Sequence, residues 1–138
     1  MPTAREVDVV RAAINRARRF GLTYRPSDVE IRMARELDGA WGRCFWLVRP
    51  VRVLLLRGMS DRRLFEVVLH ELKHAADALS DCTYPYWAVD EQERSAEAFA
   101  AIASPFACSG ENSGDARGAG WSDGPADSPD GRTRAISR

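Results

Sequence analysis

The apolar positions of the chain follow two different periods. Val7, Val10, Ile14 and Ala17 recur at helical spacing. Thr3-x-x-Glu6 after Pro2 forms a capping box in front of them, and Gly21 is placed to end the run. The pattern predicts a helix from about Ala4 to Phe20. The arginines at 11, 16, 18 and 19 lie off the stripe and read as a solvated face.

After the break at Pro26-Ser27-Asp28 the period changes to two. Val29, Ile31 and Met33 alternate with Glu30, Arg32 and Ala34, as in a half-buried strand. Asp38-Gly39 signals a turn. Trp41 to Val48 is a second strand, and Arg49-Pro50 interrupts it. Val51 to Leu56 is a third, more continuously apolar and therefore expected at the centre of the sheet. The sheet is expected to be small and at least partly antiparallel.

Helical spacing then returns. Gly58-Met59-Ser60-Asp61 opens a helix with Ser60 or Asp61 as N-cap. Phe65, Val68, Leu69, Leu72, Ala76 and Leu79 share one broad face. Arg63, Glu66, His70, His74 and Asp77 gather on the opposite one. A loop with Tyr84-Pro85-Tyr86-Trp87 leads to a last helix, from about Glu91 to Ala103, which Asp90 can cap. Ser95, Ala98, Phe99 and Ile102 give that helix a core face, and Glu93, Glu97 and Ala100 fall on the other. Beyond Pro105, residues 107 to 138 are rich in Gly, Ser, Asp and Pro. Such a stretch has too little apolar surface to order itself and is expected to be a disordered tail. The fold class is thus α+β: an N-terminal helix, about three strands and two further helices in one domain, residues 1–106, of the 138-residue chain.

Composition narrows the function classes. Twenty basic residues balance twenty acidic ones. That removes the electrostatic argument for direct nucleic-acid binding or for a membrane-surface protein. No stretch approaches the length of a transmembrane helix, and Arg5, Glu6 and Asp8 break any signal-like apolar run. Cys44, Cys82 and Cys108 are odd in number and widely spaced. They form no disulfide framework and no paired metal motif, which favours a reducing cytoplasm; two are expected as small core residues and one as a tail thiol.

The chemistry concentrates in His70-Glu71-Leu72-Lys73-His74, an H-E-x-x-H pattern on the second helix. Residues i and i+4 share a helix face, so both imidazoles can reach one ion. Glu71 is turned by about 100° from His70, close enough to address a water on that ion. A catalytic zinc takes three protein ligands and keeps one position open. These are the chain's only two histidines, so the third ligand is expected to be a carboxylate or a cysteine. Glu93 on the next helix is the best candidate, although Asp90-x-x-Glu93 also resembles a capping box. Glu97, one turn further on, could support a ligating imidazole, with Asp77 as a rival for that role. In the expected mechanism zinc lowers the pKa of its bound water and polarises a peptide carbonyl, and Glu71 acts as general base. Tyr84 and Tyr86 are candidates for a further oxyanion donor, or for loop packing.

The segment from Val51 to Pro105 resembles the gluzincin metallopeptidases, and among them the small ImmA/IrrE-like peptidases. A strand leads into the H-E-x-x-H helix, and Glu93-x-x-Ala96-x-x-Phe99-Ala100 is similar to that family's E-x-x-A-x-x-F-A signature. The resemblance implies a small zincin-like domain in which His70, His74 and Glu93 bind zinc and Glu71 is catalytic. It makes Glu97 the carboxylate that supports a ligand histidine, where the family more often has Asp. It implies a protein substrate, often a DNA-binding repressor encoded nearby, which no helix-turn-helix in this chain supplies. The expected function is zinc-dependent hydrolysis of a peptide bond. The alternative is a non-catalytic, zinc-containing regulator that binds a partner protein.

Overall fold

The computed structural model describes residues 1–106; the tail expected over residues 107–138 lies outside the described residues. Helix α1, Ala4–Arg19, begins as its sequence requires. Thr3 Oγ1 accepts the Glu6 N–H at 3.0 Å, and Glu6 Oε1 accepts the Thr3 N–H at 3.0 Å. Its buried face carries Ala13 and Ala17, with Val10 and Ile14 at its border, whereas Val7 is exposed. The face is rotated from the expected stripe because buried Glu6 occupies the first turn. The other Glu6 oxygen accepts the N–H of Gly58 at 2.9 Å, which fastens the start of α1 to a chain reversal 52 residues away. Arg16 is not simply solvated: its Nε donates to the carbonyl of Ala103 at 2.6 Å.

Strands β1 (Val29–Ala34), β2 (Gly42–Phe45) and β3 (Val51–Leu56) form one sheet in the order β1-β3-β2. The apolar strand β3 is central, as expected. It pairs in parallel with β1, Val29 opposite Val51, and antiparallel with β2, Gly42 opposite Leu55. Val51, Val53 and Leu55 are fully buried on one face, while Arg52 on the other is exposed. Strand β2 is shorter than the expected Trp41 to Val48. Past Phe45 the Trp46 carbonyl accepts Arg49 Nη1 at 2.6 Å instead of a ladder partner, and the chain turns back toward β3.

Helix α2, Asp61–Ser80, runs across the inner face of the sheet and packs on α1, β2 and β3. Ser60 caps it by accepting the Arg63 N–H at 3.2 Å. The left-handed backbone of Gly58, φ 89°, makes the tight turn from β3 into α2. The two-faced reading of α2 needs correction. Leu64, Val67, Leu69, Leu72 and Ala75 are buried, but so are His70, Glu71, His74 and Asp77. Helix α3, Val89–Ala103, covers the polar side.

The expected faces of α3 are also revised. Gln92, Ala96, Ala100 and Ala103 are the buried positions, while Ile102 is 68% exposed. Three of these four positions are alanines, so small side chains rather than large ones form the buried side of α3. The described residues share one hydrophobic cluster that reaches from Ala13 in α1 to Ala103 in α3. Cys44 lies in it, whereas Cys82 is exposed, contrary to the expectation of two core cysteines. No helix among the described residues is long and apolar enough to cross a membrane.

Candidate metal centre

The site lies where α2 and α3 meet. The middle of α2 supplies His70, Glu71 and His74, and the second turn of α3 supplies Glu93. Helix α3 begins at Val89, and Ala88 at its N-cap offers no side-chain hydrogen bond. The Asp90-x-x-Glu93 capping box is therefore not formed, and the Glu93 carboxylate points across to α2. His70 Nε2 lies 3.1 Å from Glu93 Oε1, and His74 Nε2 lies 3.2 Å from Glu93 Oε2. One ligand atom from each of the three residues can be chosen so that all lie within 4.8 Å of one another.

Two buried atoms show that these side chains do not complete one another. His74 Nε2 is close to Glu93 but misaligned for an N–H···O bond, and it has no hydrogen-bond partner. Glu71 is 2% exposed and its Oε1 also has none. A buried polar atom without a partner costs on the order of 1–3 kcal/mol. An orphaned imidazole nitrogen facing a carboxylate and a second imidazole is what a divalent cation would satisfy, and two His and one Glu are a donor set suited to zinc. The residues fit the ion.

Charge follows the same geometry. Burial alone would raise the pKa of Glu93, but the adjacent imidazoles of His70 and His74 outweigh it. The carboxyl is held below the usual range and is an anion. Of the four residues only Glu93 reaches solvent appreciably, with 24% of its side chain accessible against 3% and 5% for the histidines. The centre is thus approached from the Glu93 side.

The two residues expected to support a ligand are elsewhere. Glu97 is exposed and makes no hydrogen bond or ion pair to the described residues. It lies off the buried side of α3, which Gln92, Ala96, Ala100 and Ala103 form. Asp77 accepts Lys73 Nζ at 2.8 Å and Ser95 Oγ at 2.9 Å, so it bonds α2 to α3 rather than touching an imidazole. The group beside His74 is Tyr84, in a single 3₁₀ turn, Tyr84–Tyr86. Its hydroxyl is 2.7 Å from His74 Nδ1, and the side chain is fully buried. Burial first, then the nearby Cys44, Asp77, Glu93 and Glu71, raise its pKa well above the ordinary phenol value. Tyr84 therefore stands behind His74, not in front of it as an oxyanion donor, and Tyr86 is 87% exposed.

One contributor had no place among the expected site residues. Gly42 on β2 passes directly behind Glu71. A Cβ there would lie 2.7 Å from Val67 Cγ1 and 3.0 Å from Glu71 Cγ. An isolated glycine inside a strand pattern is the sequence signal of such a close approach.

Compared with protein-family models, curated proteins and solved structures, the chain matches none. The functional reading therefore rests on its own residues.

Proposed function

We propose that the protein is a zinc-dependent hydrolase of a peptide bond in a protein substrate. The observation that carries this reading is the meeting of His70, His74 and Glu93 ligand atoms within 4.8 Å, from two packed helices. The resemblance of Val51 to Pro105 to the gluzincins, and to the ImmA/IrrE-like peptidases in particular, points the same way.

Zinc held by His70, His74 and Glu93 would supply Lewis acidity and a water that is readily deprotonated near neutral pH. The chain's own residues do the rest. Glu71 Oε1, buried and without a partner, accepts a proton from the attacking water. The same atom returns it to the departing amine as the peptide bond breaks. Val67 and the backbone of Gly42 wall in the Glu71 side chain and fix its direction. The solvent-reaching side of Glu93 is where the scissile segment enters. The resemblance names a DNA-binding repressor as substrate, and Cys44 and Cys82, which form no disulfide, suit the cytoplasm.

A second reading has one observation in its favour. Glu71 is 2% exposed, which suits a closed zinc centre in a regulator that binds a partner without cleaving it. Zinc content of the purified chain and of Glu93→Ala tests the metal. One zinc per wild-type chain and its loss in the variant are expected; a wild-type chain without zinc refutes both readings. Cleavage of a partner by wild type but not by Glu71→Gln then separates the hydrolase from the regulator.

A further inference from the structure

A neutral imidazole carries one N–H. For His74 to ligate through Nε2, that proton must sit on Nδ1, and something must accept it there. Neither carboxylate expected for this task is in place. The group within reach is the hydroxyl of Tyr84, 2.7 Å from Nδ1.

Tyr84 is built to stay there. The edge of Trp46 packs on it with ring centroids 4.8 Å apart and planes at 82°, and Trp87 tilts against it at 5.0 Å. Its backbone N–H donates to the Asp81 carbonyl at 3.0 Å. Its own carbonyl accepts Nε2 of Gln92 at 3.1 Å, and Gln92 is buried. Gln92 immediately precedes Glu93, so adjacent residues of α3 present a ligand to one histidine pair and hold the loop that serves it. A tyrosine needed only for packing would require no hydroxyl at a histidine nitrogen.

We infer that Tyr84 is the positioning residue of the metal centre: its hydroxyl oxygen accepts the Nδ1–H of His74, which fixes the tautomer and aims the unprotonated Nε2 at the ion. The inference rests on the metal reading proposed above. A phenol is a neutral acceptor, so it orients the ring while adding less negative charge than a carboxylate would.

The test uses the full chain loaded with zinc alone. Only two histidines are present, so long-range nitrogen–proton correlations of the imidazoles are readily assigned. The zinc-loaded wild type is expected to show His74 as the Nδ1–H tautomer. Tyr84→Phe is expected to keep its fold and to bind zinc about 10–100-fold more weakly in chelator competition. Unchanged affinity in Tyr84→Phe, beside lost affinity in His74→Ala, overturns the inference and leaves the metal reading standing. An Nε2–H tautomer in the loaded wild type also overturns it, and this readout decides the matter if the Phe variant does not fold. A wild type that takes up no zinc removes both, and is recognised before any variant is made.

Discussion

Two buried glutamates, Glu6 and Glu71, stand in opposite conditions. Glu6 is 8% exposed, and both of its oxygens are engaged: Thr3 and Gly58 N–H groups at 3.0 and 2.9 Å, with Arg57 nearby. Glu71 is 2% exposed, and its Oε1 has no partner. The first is a fastening, satisfied on all sides by its own chain. The second carries an unmet demand that the fold holds in place through surrounding packing. A buried acid whose bonds are complete serves stability, and one whose bonds are incomplete awaits something from outside.

The comparison breaks most visibly in a single substitution made at both positions. Glu71→Gln is expected to lower hydrolysis by about 10²–10⁴-fold, because the amide accepts no proton from water. It should also raise the urea midpoint of the metal-free protein, by about 1 kcal/mol in stability, since it removes an unpaired buried carboxylate. A lowered midpoint would show that Glu71 is a fastening like Glu6.

Gly42→Ala places a methyl group 2.7 Å from Val67 Cγ1 and 3.0 Å from Glu71 Cγ. Overpacking of this kind costs about 1–3 kcal/mol. Zinc affinity should hold while hydrolysis falls, because the shifted residue is the proposed base and not a proposed ligand. Equal losses of both would place the damage in the helix as a whole.

Glu6→Gln is expected to destabilise by about 1–2 kcal/mol at neutral pH, opposite in sign to the change at Glu71. Its carboxyl lies below the ordinary 4.5, chiefly through the Gly58 N–H, then the Thr3 N–H, with burial opposing and Arg57 assisting. A depressed folded-state pKa gives stability that is fully present above the unfolded value and is lost as pH falls through the folded one. The gap in urea midpoint between wild type and Glu6→Gln should therefore narrow below pH 4.5. A gap independent of pH would assign the effect to packing.

Glu97→Ala is expected to do least, within about 0.5 kcal/mol in stability and with no change in zinc affinity. A loss of zinc there would restore the carboxylate support that the exposed position of Glu97 removes.

Periodicity and capping residues were enough to define the α+β order of elements. The capping box at Thr3, the Ser60 cap and the central place of β3 are local or compositional, and each is found where its residues put it. His70, Glu71 and His74 form a motif within one helical turn, so their shared side follows from helix geometry alone. Glu93 was legible only as one of two options, ligand or cap; a carboxylate at the third helical position reads the same either way until the opposing helix is known. Tertiary packing decided the rest. Alanines at 96, 100 and 103, and not Ile102, lie on the buried side of α3. With that side buried, the polar side of α2 is covered and Glu97 faces solvent, while the packing of Tyr84 on Trp46 and Trp87 sets it beside His74. None of these is a property of spacing: which small face meets which helix depends on contacts between residues far apart in the chain, and their energies appear only once both surfaces are in place.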